Sequence, residues 1–165
     1  MFTVDELEAL VKIGTHFKGV DLSGDDFTGA DIPGAHFGGS TMVGTNFTGA
    51  NLEGVNLRNV VGTSANFTNA NLNGATMERS VFNLAVFNGA SMEQVNALGV
   101  NLVFASLVET WLYRTDFRYA DLRFATFLLS DMRGVLLDRV DIRSTNFALT
   151  ICLGLSQIEL LGWRS

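Results

Sequence analysis

Asn46 to Leu57 read NFTGANLEGVNL: a polar residue, a large apolar one, a spacer, a Gly and a small residue, and then the same again. A period of five fits neither the 3.6-residue turn of a helix nor the two-residue alternation of a flat strand. Working outward from this stretch, every fifth residue from Phe17 to Phe147 gives 27 positions, of which 25 are Leu, Phe, Ile or Met; Gly62 and Ala97 are the exceptions. Two residues before each of these, from Thr15 to Thr145, the slot holds Ala, Ser, Thr or Val in 26 of 27 cases, and Asp25 is the break. A small and a large inward position therefore alternate along the chain. The residue between them is usually Asp, Asn, Ser or Thr, as at Asp21, Asn51 and Asp121. Such side chains bond nearby backbone and favour turns.

The words ADIPG, ANLEG, ANFTN, ANLNG and ADLRF resemble the A(D/N)LXX unit of pentapeptide-repeat proteins, over about Thr15 to Leu153. The resemblance implies an all-β solenoid: a right-handed parallel, quadrilateral β-helix in which four such units make one coil and the large and small slots point inward. The sequence carries its own check on the coil length. Every twentieth residue from Phe27 gives Phe27, Phe47, Phe67, Phe87, Leu107, Phe127 and Phe147, an aromatic column that a period of five alone would not produce. Gly62 falls between Met42 and Phe82, and Ala97 between Met77 and Phe117, so long side chains above and below can lean into the missing volume. With coils about 4.8 Å apart, about seven of them make a rod of roughly 32 Å. Its stability is close to a sum of neighbour contacts.

The ends follow different rules. Thr3 and Glu6 have capping-box spacing, which predicts a helix through about Ile13 whose Leu7, Leu10 and Val11 cover the first coil. At the other end Ser156 and Glu159 repeat that spacing, which predicts a second short helix. The expected organisation is one domain over 1–165, with a helical cap at 1–14, coils at 15–153 and a cap or dimer segment at 154–165. Ile151, Leu153, Leu155, Ile158, Leu160, Leu161 and Trp163 hold more apolar surface than one short helix easily buries. Two such ends meeting about a twofold axis would form a homodimer, an arrangement the resemblance also implies; the alternative is a lid on a monomer.

At 165 residues and 47% hydrophobic, the chain can bury one continuous core. MFTVDELEALVK lacks the features of a secretory leader, and no apolar run reaches membrane-spanning length, so the expected location is cytoplasmic, without a membrane partner. The single cysteine, Cys152, has no internal disulfide partner and falls in an inward slot, where a core role is expected. A net charge of -6 argues against direct nucleic-acid binding, which needs clustered Lys and Arg.

His16 and His36 stand 20 residues apart in equivalent outward slots and should stack, with Lys18 and Asp21 nearby. Zinc wants four ligands, and no third His or second Cys exists, so no metal site is expected. An unpaired carboxylate in an inward slot is costly, so Asp25 is expected to bond backbone donors. The Asp-rich run GVDLSGDDFTGAD matches no calcium-loop spacing. Phosphate-loop, dinucleotide and Ser-His-Asp signatures are absent, so neither an enzyme nor a cofactor is expected.

The outer surface is uneven. From Gly19 to Gly54 the corner residue is Gly in eight consecutive repeats, leaving the first coils smooth and polar with Asp21, Asp26, Asp31 and Glu53 outside. Later coils put Leu84, Phe104 and Phe124 in one corner column, Val86 and Val108 beside it, and Leu128, Leu129 and Leu149 further along the same face. Such a stripe is expected to be a contact surface for a protein partner; a register shift turning some of these residues inward is the alternative. Residues 1–82 carry 9 acidic and 4 basic side chains (-5), and residues 83–165 carry 8 and 7 (-1). The expected function is a non-enzymatic interaction scaffold. The resemblance implies an alternative, a duplex-DNA mimic that occupies DNA gyrase and protects it from quinolones.

Overall fold

The computed structural model describes residues 2–152. From residue 16 onward each five-residue unit has the same conformation, one bridge residue, one extended residue, a two-residue turn and a linking residue, repeated to residue 151. Parallel bridges join residues 20 apart, from His16–His36 through Asn46–Asn66 to Asp131–Ile151, without a slip. The coil length read from the phenylalanine column is the register of the fold.

The backbone accounting of one unit explains why five residues close a side. In the unit of the opening stretch, Asn46 N–H donates to the Asp25 carbonyl in the coil before (3.0 Å), and Phe47 N–H to the Asn66 carbonyl in the coil after (2.7 Å). Gly49 N–H also reaches the following coil, at Thr68 (2.8 Å), while Ala50 N–H turns back onto the Phe47 carbonyl (3.0 Å). The fifth donor, Thr48 N–H, bonds the Asn46 side-chain oxygen at 3.1 Å. Every amide of the unit is thus satisfied, the last of them by the Asx side chain that the sequence favours in that slot. The corner residue is left-handed whether it is Gly49 (φ 67) or a bulkier residue such as Phe104 (φ 60).

The two inward slots fill the interior. Phe27, Phe47, Phe67 and Phe87 are fully buried and stack coil on coil, with ring centroids 5.4, 5.3 and 4.9 Å apart. Hydroxyls in the small slot are satisfied internally: Ser40 and Thr45 donate to the carbonyls of Phe17 and Leu22 at 2.6 and 2.7 Å. Asp25 differs from expectation. It is buried, at 5% exposure, yet among the described residues its carboxylate accepts no hydrogen bond.

Helix α1 (Val4–Lys12) begins at the capping box, with Thr3 N–H donating to Glu6 Oε2 (2.9 Å) and Glu6 N–H to Thr3 Oγ1 (3.2 Å). Leu7 is fully buried, Leu10 and Val11 pack on the core, and Phe2 meets Phe17 edge to face at 6.0 Å. Glu8 ties the outer side of α1 to a coil by accepting from Asp31 N–H at 2.8 Å. Among the described residues, no helix is long and apolar enough to cross a membrane.

Candidate functional site

The two corner columns of the apolar face are five residues apart, so they bound one flat side of the coil. Leu84, Phe104 and Phe124 form the first and are 54%, 56% and 49% exposed. Phe104 and Phe124 stack on each other outside the coil, centroids 4.7 Å apart and planes 11° from parallel. Leu129 and Leu149 form the second corner, both exposed. Val86, Val108 and Leu128 lie on the side between them and are half-buried. No register shift has drawn the exposed members inward: the bridges Val86–Ser106 and Ser106–Thr126 keep the 20-residue step across this face.

Beyond the second corner the apolar surface continues to Trp111, which the sequence pattern passed over. Trp111 is exposed and sits two coil positions from Ile151, itself exposed, with Asp131 in the coil between them. With Leu129 and Glu109 they line a shallow groove of about 340 Å³. Trp111 occupies the slot usually held by Asp or Asn, where a large apolar residue is the signal that could have revealed it. Leu136 stands in that slot too, and Tyr119 at a corner, both exposed. Leu153, Leu155, Ile158, Leu160, Leu161 and Trp163, with the second expected helix, lie outside the described residues.

The charged residues of the later coils are arranged for mutual neutralisation. Arg118, Arg123, Arg133 and Arg143 each fold onto the Asp two residues earlier, Asp116, Asp121, Asp131 and Asp141, with Nη2–Oδ2 distances of 2.7, 2.8, 2.5 and 2.6 Å. The second nitrogen, Nε, also donates, as at Arg118 to Asp116 Oδ1 (2.9 Å), so the contact is a two-pronged fork. These hydrogen bonds hold all four carboxyls below their ordinary range, that of Asp141 at about 2. Asp21 and Asp26 in the first coils are also lowered, but by the neutral partners Ser23 and Thr28, which leave their charge exposed.

His16 and His36 stack as the register requires, centroids 4.4 Å apart. Among the described residues, no group of three or more His, Cys, Asp or Glu side chains is placed to hold a metal ion. Cys152 is partly buried against the core, its Sγ 3.2 Å from Thr150 Oγ1.

The family model for pentapeptide repeats matches the chain in overlapping segments from 26–59 to 98–134, eight copies in all. The chain belongs to the pentapeptide-repeat family. Solved members of that family form right-handed quadrilateral β-helices. HetL, a pentapeptide-repeat protein involved in heterocyst differentiation regulation in the cyanobacterium Nostoc, is 16% identical over 94% of this chain and 99% of its own, with a TM-score of 0.39. QnrB1, a plasmid-mediated fluoroquinolone resistance protein, is 16% identical over 90% of this chain and 100% of its own (TM-score 0.33). A pentapeptide-repeat protein of the Arabidopsis thaliana thylakoid lumen is 30% identical over 67% of each chain (TM-score 0.25). No curated protein matches the sequence. Family membership rests on the repeat match and not on these three structures.

Proposed function

We propose that this pentapeptide-repeat protein is a non-enzymatic scaffold that binds a protein partner through the face bounded by Leu84, Phe104 and Phe124 on one side and Leu129 and Leu149 on the other. One observation carries the reading: the stacked pair Phe104 and Phe124 is about half exposed on left-handed corners where the first coils carry glycine. Rings so placed add little to the core, and a phenylalanine at such a backbone position costs more than a glycine. Aromatic anchors ringed by aliphatic side chains are the usual centre of a protein-binding patch. Val86, Val108 and Leu128 complete the floor, and Trp111 extends it.

A pull-down tests the reading. Wild type and a Phe104→Asp, Phe124→Asp variant are compared with an Asp26→Asn control on an acidic early coil. A partner retained by wild type and control and lost by the double variant is the expected result; equal retention by all three overturns it.

The apolar end, Ile151 to Trp163, supports a companion proposal of an end-to-end homodimer. Sedimentation of wild type against a Leu160→Asp, Trp163→Ala variant tests it, and a wild-type monomer sinks it. The gyrase-mimic alternative draws on the exposed Asp21, Asp26, Asp31 and Glu53, but the arginine forks of the later coils count against it.

A further inference from the structure

The basic residues of this chain differ according to what stands two positions earlier. At Arg118, Arg123, Arg133 and Arg143 that residue is Asp, and the fork closes. At Lys18 it is His16 and at Arg58 it is Asn56, so neither cation has that carboxylate. Asn56 instead accepts from the backbone N–H of Arg58 at 3.1 Å. The Arg58 side chain makes a single longer contact, 3.4 Å to Glu78, and stays 51% exposed.

Lys18, Gly38 and Arg58 occupy one outward slot in three successive coils, so the cations leave the backbone two coil spacings apart, roughly 9.6 Å. With no side chain at Gly38, the space between them is an open groove of about 250 Å³. His16 and His36 form one wall, and Asn56 and Asn59 also line it; no Asp or Glu does. This is a local concentration of donors in the half of the molecule that carries the larger negative charge. The coil geometry puts it on the side opposite the apolar face, so it does not depend on the scaffold reading.

We propose that this groove binds a phosphate-type oxyanion. The guanidinium of Arg58 presents a planar fork suited to two phosphate oxygens, the Lys18 ammonium supplies a point charge from the other side, and imidazole and amide N–H groups complete the donor set. The same chemistry serves a free phosphate compound or a phosphate carried on a peptide.

The chain has two histidines in all, His16 and His36, so its histidine NMR signals report this groove directly. Wild-type protein is titrated with inorganic phosphate, and separately with sodium chloride at matched ionic strength. The expected result is saturable movement of both imidazole signals with phosphate alone. Gly38 is not left-handed, and a Cβ there would sit an ordinary 3.8 Å from its neighbours, so the slot accepts a side chain; Glu53, Glu78 and Glu93 occupy equivalent slots. Gly38→Glu, which puts a carboxylate between the two cations, is expected to weaken phosphate binding by about tenfold or more, while Gly38→Gln stays within a few-fold. Lys18→Gln with Arg58→Gln should reproduce the loss without touching the groove floor. A phosphoserine peptide binding more tightly than phosphate identifies a peptide-borne anion, and equal affinity a free one. Signals that move alike with chloride, fail to saturate, or ignore both Gly38→Glu and the double variant overturn the proposal.

Discussion

Phe67 and Phe87 lie in adjacent coils with their rings face to face, centroids 4.9 Å apart and planes within 4° of parallel. Phe47 stacks on the other side of Phe67 at 5.3 Å, and Phe82 meets both Phe67 and Phe87 edge-on at 5.6 and 5.8 Å. Phe67 is therefore enclosed by aromatic neighbours that the backbone ladders hold in place. Phe67→Ala leaves a hole that they cannot close, and a loss of about 3–5 kcal/mol is expected in chemical denaturation. An unmoved midpoint would contradict this packing.

Gly62 supplies the complementary test, because its place is already taken. A Cβ there would lie 2.6 Å from Phe82 Cδ1, closer still to Cε1, and 3.3 Å from Met42 Cγ. The leaning of Phe82 into the empty slot is thus observed. That ring cannot retreat easily, since its edge-on contacts with Phe67 and Phe87 fix it. Gly62→Ala adds a methyl group to a filled space and is expected to destabilise by about 1–3 kcal/mol, although alanine fits any inward slot by size. A variant as stable as wild type would show that the cavity is larger than the geometry implies.

These two residues show why the fold was legible in the sequence. The five-residue rhythm fixes which side chains point inward, the phenylalanine column fixes the coil length, and a gap flanked by Met42 and Phe82 names its own filler. The surface obeys no such rhythm. Arg118, Arg123, Arg133 and Arg143 each follow an Asp by two residues, but that Arg118 closes on Asp116 follows from geometry, since the slots on either side of an inward residue share one outer face. Trp111 was missed because its slot reads as the polar turn slot, and that expectation hid the exception. Nothing in the five-residue rhythm marks Lys18 and Arg58; it is the lack of an aspartate two residues earlier that sets them apart.

The corner aromatics permit a separation of stability from binding. Phe104 and Phe124 both have φ 60, a region that costs a residue with a side chain roughly 1–2 kcal/mol and glycine much less. Replacing both by glycine relieves that cost, raises unfolded-chain entropy and removes one exposed stack, terms of similar size and mixed sign. Net stability of Phe104→Gly, Phe124→Gly is expected to stay within about 1 kcal/mol of wild type, while retention of the partner captured by wild type is lost. A large destabilisation would instead give these rings a structural role.

The arginine forks give stability a pH signature. Aspartate in an unfolded chain titrates near 3.9, whereas hydrogen bonding to its arginine holds the folded Asp141 at about 2 and the folded Asp131 below its ordinary value. A depressed folded value means that the contribution is fully present above about pH 4 and is lost as pH falls towards 2. Arg133→Gln strands Asp131, whose side chain is 7% exposed. At pH 5 this variant is expected to have a lower urea midpoint than wild type, and the gap should narrow as pH falls. Parallel curves from pH 5 to 2 would mean that the fork does not contribute.

Duplex mimicry demands negative charge that a partner can reach along the whole rod. Here Asp21, Asp26, Asp31 and Glu53 are exposed in the early coils, but Asp116, Asp121, Asp131 and Asp141 are each closed by an arginine within 2.8 Å. The charge balance of -5 in residues 1–82 and -1 in residues 83–165 says the same at lower resolution. A DNA-binding groove meeting this surface would find its complement in the first half only, and arginine against arginine in the second. Purified protein is therefore expected to leave gyrase supercoiling unaffected even at low ionic strength, where exposed charges act over the longest range. Inhibition that weakens as salt is raised would reverse this conclusion and restore the mimic. The same assay with Arg118→Gln, Arg123→Gln, Arg133→Gln and Arg143→Gln combined separates charge from shape: if closed forks are the obstacle, opening all four moves the protein towards inhibition, and an inert variant places the obstacle in the shape of the rod.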